Sequence, residues 1–410
     1  MLKALSIVDI VLLCTLGLLF LVQLYFYARY MAAPARKMRK DKKANSQEPI
    51  ANSQTETPGV SVLLAAHNES YNLSQYLQAL LSQDWPTYEV IVVDDGSEDE
   101  TRAIVESYMV HDSRLRMTFV PYGARVGSTK KLALTLAAKA AQYDYLLLTD
   151  ADCVPESPHW ISEMMKGFIK HSTLNIQHST DIVLGFSPYF CEKGHINRLV
   201  RFDTLFNGLH YLGAALCGHP YMGVGRNLAY RKSLFFESGG FTHQMTNIAG
   251  DDDLFVNHVA TPENTAVVLS RDSYVWSLAK TNMRDWWQQK RRHLSVSPAY
   301  KTVTKWRLAL EPITRGLFYA LVLTIIIRLS LTYKVYLSDF FHLSSFTFQL
   351  GIVLMLFLSR WIIQTAILNA SARRMGLKRF SMFSVLWFDI VLPLVNLWML
   401  IIPKRRKLKW

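Results

Sequence analysis

Two carboxylates one residue apart, Asp150 and Asp152, end the run Tyr145-Leu-Leu-Leu-Thr-Asp-Ala-Asp-Cys153. The uncharged apolar stretch before them has the length and composition of a buried strand. Side chains two apart on an extended chain point the same way, so both acids are expected on one face at the strand's end. Such a pair suits a hard divalent cation carrying a phosphate group. A lone D-x-D is also what an ordinary acidic turn looks like, so the surrounding elements have to decide between the two.

Those elements alternate. Val60–Ala65, Glu89–Val93, Arg116–Val120 and Tyr145–Thr149 read as strands. Helices are expected between them. The first carries Leu73, Tyr76, Leu77, Leu80 and Leu81 at helical spacing; the second opens on a capping box of Ser97 and Glu100; the third is capped by Ser128 and runs through Ala141. Strand–helix alternation with short connections predicts an α/β fold with a mostly parallel sheet flanked by helices. In such a sheet successive strand exits share one edge. The clusters His67–Ser70, Asp94–Ser97 and Asp150–Asp152 are therefore expected to converge on one crevice.

Further chemistry follows the same edge. Lys130 and Lys131 fall in the first turn of a helix, where a diphosphate could be held by the helix N-terminus and a lysine together. Asp181–Phe190 reads as another strand and Ile196–Leu216 as a long helix. Gly223-Val-Gly-Arg-Asn-Leu-Ala-Tyr230 lacks the context of a dinucleotide fingerprint and reads as a strand of small residues closely approached by a ligand or another backbone. Gly250-Asp-Asp-Asp-Leu254 opens a helix with more acids than a cap requires, leaving one carboxylate to face the crevice as a base. Trp286 and Trp287 beside Lys290, Arg291 and Arg292 form an aromatic and basic helix of interfacial character.

The chain has 410 residues, of which 50% are hydrophobic, and a formal net charge of +13. Ala4–Ala28 is long and apolar enough to cross a bilayer, and apolar stretches recur near Gly316–Leu331, Phe346–Leu368 and Met382–Pro403. Basic residues crowd the ends of these stretches, at Arg29–Lys43, Arg373–Arg379 and Lys404–Lys409. That placement points to anionic lipid and not to nucleic acid. The positive-inside rule puts the central domain in the cytoplasm, at the plasma (inner) membrane. Three complete spans after it would place the basic tail on the opposite side, against the same rule, so Met382–Pro403, with Asp389 and Pro393, is a candidate re-entrant or interfacial segment. Arg328, Arg360 and Asp389 are costly in lipid and should face protein or water, with Arg360 and Asp389 a candidate pair. The four scattered cysteines contain no C-x-x-C and indicate neither zinc nor a disulfide framework.

Five motifs stand in order: Ser61-Val-Leu-Leu-Ala-Ala-His-Asn-Glu69, Val92-Val-Asp-Asp-Gly-Ser-Glu-Asp99, Leu148-Thr-Asp-Ala-Asp152, Gly250-Asp-Asp252 and Gln289-Lys-Arg-Arg-His293. Together they resemble the family-two, inverting nucleotide-sugar glycosyltransferases of GT-A fold, in the membrane-embedded branch of ceramide glucosyltransferase-like enzymes and polysaccharide synthases. The resemblance implies an enzyme that moves a sugar from a nucleotide-sugar donor, a UDP-sugar, to a lipid or glycan hydroxyl with inversion, using Mg²⁺ or Mn²⁺. It implies Asn68 and Glu69 near the nucleotide, Asp94 or Asp95 (Asp95 favoured) on uracil and ribose, and Lys130 on the diphosphate. Asp150 and Asp152 would hold metal and sugar diphosphate, with Asp152 the direct ligand. Asp252 would be the general base, with Asp251 in support, and Gln289, Arg292 and His293 would close over the nucleotide. His293 stands where the family usually has Trp, and His67 where Tyr is often seen.

The implied organisation is an N-terminal transmembrane helix (1–28), a basic juxtamembrane segment and polar linker (29–57), a GT-A domain (58–280), an interfacial helix (281–305), two or three C-terminal membrane segments (306–403) and a basic tail (404–410). A processive polysaccharide synthase of the same family is the alternative. A haloacid-dehalogenase-type phosphatase is more remote, because its D-x-D belongs to the first strand of its domain and here βα units precede it.

Overall fold

The computed structural model describes residues 6–45, 57–124, 127–172, 180–242, 245, 249–335 and 340–401. The tail 404–410 and most of the polar linker lie outside them. The chain begins with α1 (Ile7–Phe26), passes a π-helical turn at Tyr27–Met31 and continues as α2 (Ala33–Asn45). Then come β1 (Val60–Ala66), α3 (Ser70–Leu81), β2 (Tyr88–Asp94), α4 (Thr101–Met109), β3 (Leu115–Phe119), α5 (Thr129–Ala140) and β4 (Tyr145–Leu148). The second half of the domain comprises β5 (Cys153–Pro155), α6 (Trp160–Ser172), β6 (Ile182–Leu184), α7 (His195–Leu216), β7 (Leu228–Arg231), α8 (Lys232–Glu237), α9 (Asp253–Val259), β8 (Thr265–Val267), β9 (Val275–Ser277) and α10 (Met283–Leu294). Three long helices follow, α11 (Thr302–Val335), α12 (Phe340–Arg374) and α13 (Met382–Ile401).

Seven strands form one sheet in the order β3-β2-β1-β4-β7-β6-β8. β3, β2, β1 and β4 are mutually parallel, and β7 turns antiparallel between β4 and β6. The expected mostly parallel, helix-flanked α/β sheet is what the chain forms. β1 is apolar throughout except for Ser61 because both faces are covered. Val60, Val62, Leu64 and Ala66 pack with Leu73, Leu77 and Trp160 on one side, whereas Leu63 and Ala65 pack with Ala133, Ala137 and Leu209 on the other.

Three local expectations are corrected. The helix after β2 has no Ser97–Glu100 capping box: Ser97 Oγ instead accepts the Asn68 amide at 3.0 Å, and Asp99 takes the Thr101 amide at 3.0 Å. The stretch Asp181–Phe190 is a strand only over Ile182–Leu184. Beyond it the side chain of Asn227 replaces a neighbouring strand, donating to the carbonyls of Phe186 (2.9 Å) and Ser273 (2.8 Å). Finally, Asp150 and Asp152 do not follow an extended chain, since the strand stops at Leu148 and a turn closes with Cys153 N donating to Asp150 O at 3.1 Å.

Among the described residues, four helical segments are long and apolar enough to cross a membrane: Ile7–Ala44, Thr302–Leu331, Ser345–Arg374 and Met382–Met399. Leu16, Phe318, Ile325 and Val353 pack together where α1, α11 and α12 meet. α13 is a continuous helix through Pro393. The expected Arg360–Asp389 pair is present at 2.8 Å, but Arg315 shares the carboxylate, also at 2.8 Å. Arg328 pairs with Asp9 at 2.9 Å.

Candidate active site at the strand exits

The parallel register of β1, β2 and β4 delivers their exits to one edge, and the loops there are laced together. The Asp95 amide donates to Ala66 O (2.8 Å), His67 Nδ1 lies 2.8 Å from Asp95 O, and the Glu98 amide donates to Asn68 Oδ1 (2.8 Å). Asn68 adopts a positive φ of 57°, which an asparagine tolerates when its side chain bonds locally. Its side-chain oxygen is therefore spent shaping the loop. Asp94 does the same, with Oδ1 accepting the Ser97 amide at 3.0 Å. Asp95, hydrogen-bonded by Thr129, is left facing the crevice; burial raises its proton affinity. Glu69 is partly buried, and desolvation followed by the charges of Asp152 and Asp150 raises its pKa, so it looks onto the D-x-D turn.

Two ordered elements fix that turn. β4 leads into it and β5, paired with β9 at Cys153 opposite Ser277, leads out. Ligand atoms of Asp150, Asp152 and Cys153 lie within 4.8 Å of one another. The buried Cys153 thiol donates to Asp152 Oδ1 at 3.1 Å, and burial and then Asp152 push its pKa up, so it stays a thiol. What remains for a metal is two carboxylates, an oxygen set that suits Mg²⁺ or Mn²⁺.

The lysine pair separates cleanly. Ser128 caps α5, and Lys130 then reaches Asp150 Oδ1 at 2.9 Å and Asp251 Oδ2 at 3.2 Å. Burial opposes its charge, but Asp150, Asp251 and Asp252 outweigh that and hold the ammonium above its ordinary value. Lys131 is fully buried and donates to Ala249 O at 2.8 Å, just before the acidic triplet.

Asp251, Asp252 and Asp253 have three different surroundings. Asp251 is buried against Lys130. Asp253 is buried under Tyr300, whose hydroxyl donates to its Oδ2 at 2.9 Å; burial and then Asp252 push its pKa up to about 8. Asp252 is the least buried of the three. Its Oδ2 accepts the Gly225 amide and its Oδ1 the Asp253 amide, each at 2.7 Å, which orients the carboxylate at the start of α9. Burial and the neighbouring Asp251 raise its proton affinity. The close approach expected in the glycine-rich stretch is this one: a Cβ on Gly225 would stand 3.4 Å from Asp252 Oδ2.

On α10, Gln289 Nε2 donates to the Tyr189 hydroxyl at 3.2 Å. Arg292 lies near enough that its charge helps to keep Asp150 ionised. His293 lies among cations: partial desolvation, then Arg292, Lys290, Arg226 and Lys130, push its imidazole below its ordinary value although the residue keeps solvent access. Trp286 and Lys290 are buried instead of facing outward, with Lys290 paired to Asp203 of α7 at 2.7 Å.

Residues 61–236 match the family described as Glycosyl transferase family 2. The chain carries a family 2 glycosyltransferase domain. That match, with four strands of the domain preceding the D-x-D, leaves the phosphatase alternative without support. Among curated relatives, poly-beta-1,6-N-acetyl-D-glucosamine synthase of Staphylococcus epidermidis is 31% identical over 129 residues, 31% of this chain and 30% of that protein. The probable glycosyltransferase YdaM of Bacillus subtilis is 25% identical over 58% of this chain and 54% of its own length. Chondroitin synthase of Escherichia coli is 24% identical over 48% of this chain and 31% of its own length. The similarity thus spans at most about half the length of these relatives. The solved mannosyltransferase of Pyrobaculum calidifontis, in complex with GDP-Man and Mn²⁺, superposes over 87% of this chain and 99% of its own with a TM-score of 0.48 and 18% identity.

Two residues of the crevice have no counterpart in the sequence reading, Arg226 and Tyr189. The Arg226 guanidinium sits 4.3 Å over the Tyr189 ring, and its charge is felt at Asp150. A charged residue inside the glycine-rich stretch was the available signal.

Proposed function

We propose that this protein transfers a sugar from a UDP-sugar to a hydroxyl of a lipid or glycan acceptor, with inversion at the anomeric carbon and with Mg²⁺ or Mn²⁺. The observation that carries the reading is the contrast within the acidic triplet. Asp251 and Asp253 are buried against side chains of other segments, whereas Asp252 is the least buried of the three and is oriented by two backbone amides.

In this reading Asp150 and Asp152 would hold the cation, which would supply Lewis-acid stabilisation of the leaving diphosphate when bound. Lys130 and Arg292 add fixed positive charge on the same group, and Asp95 and Glu69 bind the nucleoside side of the donor. Asn68 and Asp94 shape that subsite through the loop bonds described above. Gln289 and His293 close over the nucleotide, and Asp251 supports the base by holding Lys130. Asp252 accepts the proton of the acceptor hydroxyl. The acceptor oxygen then forms the new bond to the anomeric carbon as the bond to the diphosphate oxygen breaks on the opposite face. That electron pair leaves with the diphosphate, and inversion follows.

The acceptor has two readings. Transfer of one sugar to a lipid fits the small number of candidate spans, and processive synthesis is favoured by relatives that are themselves polymer synthases. The charge distribution around the first apolar helix supports a catalytic domain on the cytoplasmic side of the plasma (inner) membrane.

The test incubates membranes containing the protein with a panel of nucleotide sugars, with and without EDTA, and scores nucleotide release and labelled product. Metal-dependent release with a lipid-soluble product supports single transfer; a polymeric product supports the synthase. Asp252→Asn should lower transfer by about 10²- to 10⁴-fold while leaving UDP affinity nearly unchanged. Near-normal turnover in a folded Asp252→Asn protein overturns the base assignment.

A further inference from the structure

Arg226 occupies a position that its own contacts do not explain. It directly follows Gly225, whose amide clamps Asp252, and it leads into the fully bonded Asn227. Its backbone place is therefore fixed from both sides. Nη1 is buried and has no hydrogen-bond partner among the described residues, and Nη2 has a single 3.4 Å contact with Ser187 O. A guanidinium carries five N–H donors in a rigid fork. Leaving part of that fork buried and unbonded is costly unless a ligand completes it.

Its neighbours define what the ligand must be. The ring of Tyr189 backs the guanidinium at 4.3 Å, and the Tyr189 hydroxyl accepts from Gln289 of α10. The D-x-D turn lies on another side, close enough for Arg226 to influence both carboxylates, yet neither forms an ion pair with it. Lys130 already occupies Asp150. The guanidinium thus sits between the D-x-D turn and Tyr189, which is tied to α10, and a polyanionic ligand, not a protein carboxylate, is the acceptor that its charge and place fit.

We propose that Arg226 binds the leaving nucleoside diphosphate, its fork donating to the anionic oxygens of the phosphate nearest the sugar. This rests on the nucleotide-sugar reading above. It adds to Lys130 and Arg292 a third cation, set by the strand side of the crevice and preorganised by stacking on Tyr189. A guanidinium in this place holds developing negative charge without reorganising.

The experiment compares binding of UDP and UMP, with Mn²⁺ present, to detergent-purified wild type, Arg226→Ala and Arg226→Lys, each checked by thermal melting. Arg226→Ala should weaken UDP by about 10- to 100-fold, as expected for loss of hydrogen bonds to a charged group, and UMP by less than about 3-fold. Arg226→Lys, which keeps the charge but not the fork, should lose about 3- to 10-fold for UDP. Unchanged UDP affinity in a folded Arg226→Ala protein overturns the proposal. Equal losses for UDP and UMP also overturn it, since a merely structural residue would act that way. If Arg226→Ala does not fold, Arg226→Lys decides: its UDP-to-UMP affinity ratio must fall. A wild type that binds UDP but shows no such change sinks this inference alone, whereas a wild type that binds no nucleotide sinks the parent reading with it.

Discussion

Asp389 on α13 is fully buried among helices long enough to cross a membrane, and it should be the residue whose neutralisation costs this bundle most. Its carboxylate accepts from Arg315 Nη1 (2.8 Å), Arg360 Nη1 (2.8 Å), Tyr319 OH (2.5 Å) and Gln364 Nε2 (2.6 Å). Arg315 also pairs with Glu311 at 3.1 Å, and Arg360 reaches Tyr27 OH (2.6 Å) and Gln23 Oε1 (3.1 Å). Two arginines and two carboxylates make the cluster formally neutral, and it joins α1, α11, α12 and α13. Asp389→Asn leaves one excess positive charge and turns two charge-assisted bonds into weaker or mismatched ones. Breaking a buried pair from one side costs about 3–5 kcal/mol, or roughly 10²- to 4 × 10³-fold in the folded ratio at 1.4 kcal/mol per decade.

The same geometry decides how a charge swap must behave. An isolated Arg360–Asp389 pair would be rescued by exchanging the two residues. Here Arg315 shares the carboxylate, so Arg360→Asp with Asp389→Arg sets the new arginine against Arg315 and should not restore stability. Replacing the whole cluster (Glu311→Gln, Arg315→Met, Arg360→Met, Asp389→Leu) should be tolerated within about 1 kcal/mol, because no desolvated charge is left uncompensated. The assay is thermal unfolding of the detergent-purified proteins with the monodisperse fraction measured alongside. Asp389→Asn within about 1 kcal/mol of wild type, or full rescue by the two-residue swap, would refute the reasoning.

Two further outcomes follow from the geometry. Asp253 has a folded pKa of about 8 against an ordinary 3.8, so the folded chain holds a proton that the unfolded chain releases between those values. Its stability contribution is complete below about pH 4 and lost as pH rises through about 8, and Asp253→Asn should flatten that decline in melts from about pH 5 to 9; parallel curves would contradict it. Gly213→Ala would put a Cβ 2.0 Å from the Tyr30 carbonyl oxygen, where α7 crosses the π-helical turn, whereas Gly316→Ala meets nothing within 4 Å. The first should cost about 1–3 kcal/mol and the second nothing measurable, so equal melting temperatures for the two variants would be the wrong result.

The sheet was legible because its central strands are covered on both faces: β1 is apolar from Val62 to Ala66 and β2 from Val90 to Val93, and the apolar spacing of α3 shows as helix. The convergence of three polar loops was legible for the same reason, since parallel strands share an exit edge. What failed was local chemistry with distant partners. Ser97 is a sound helix cap by type, but Asn68, brought in from the β1 exit, takes its hydroxyl. Asp181–Phe190 has strand composition throughout, yet Asn227 takes the Phe186 carbonyl from a different part of the chain. Arg226 meets the D-x-D turn only through the order β4-β7-β6, and no spacing in the sequence encodes that meeting.

The acidic triplet shows how far residue type alone can carry a functional reading. Three consecutive aspartates have the same intrinsic acidity, and one is enough to cap a helix, so sequence implies a surplus without saying which member is spare. Neighbours supplied by other segments divide them. α5 brings Lys130 to Asp251, and the segment leading into α11 brings Tyr300 to Asp253. The glycine-rich loop offers Asp252 only a backbone amide, which orients a carboxylate and leaves it able to take a proton. The carboxylate proposed as the base is thus the one held by two backbone amides, from Gly225 and Asp253, with no side chain of another segment bonded to it.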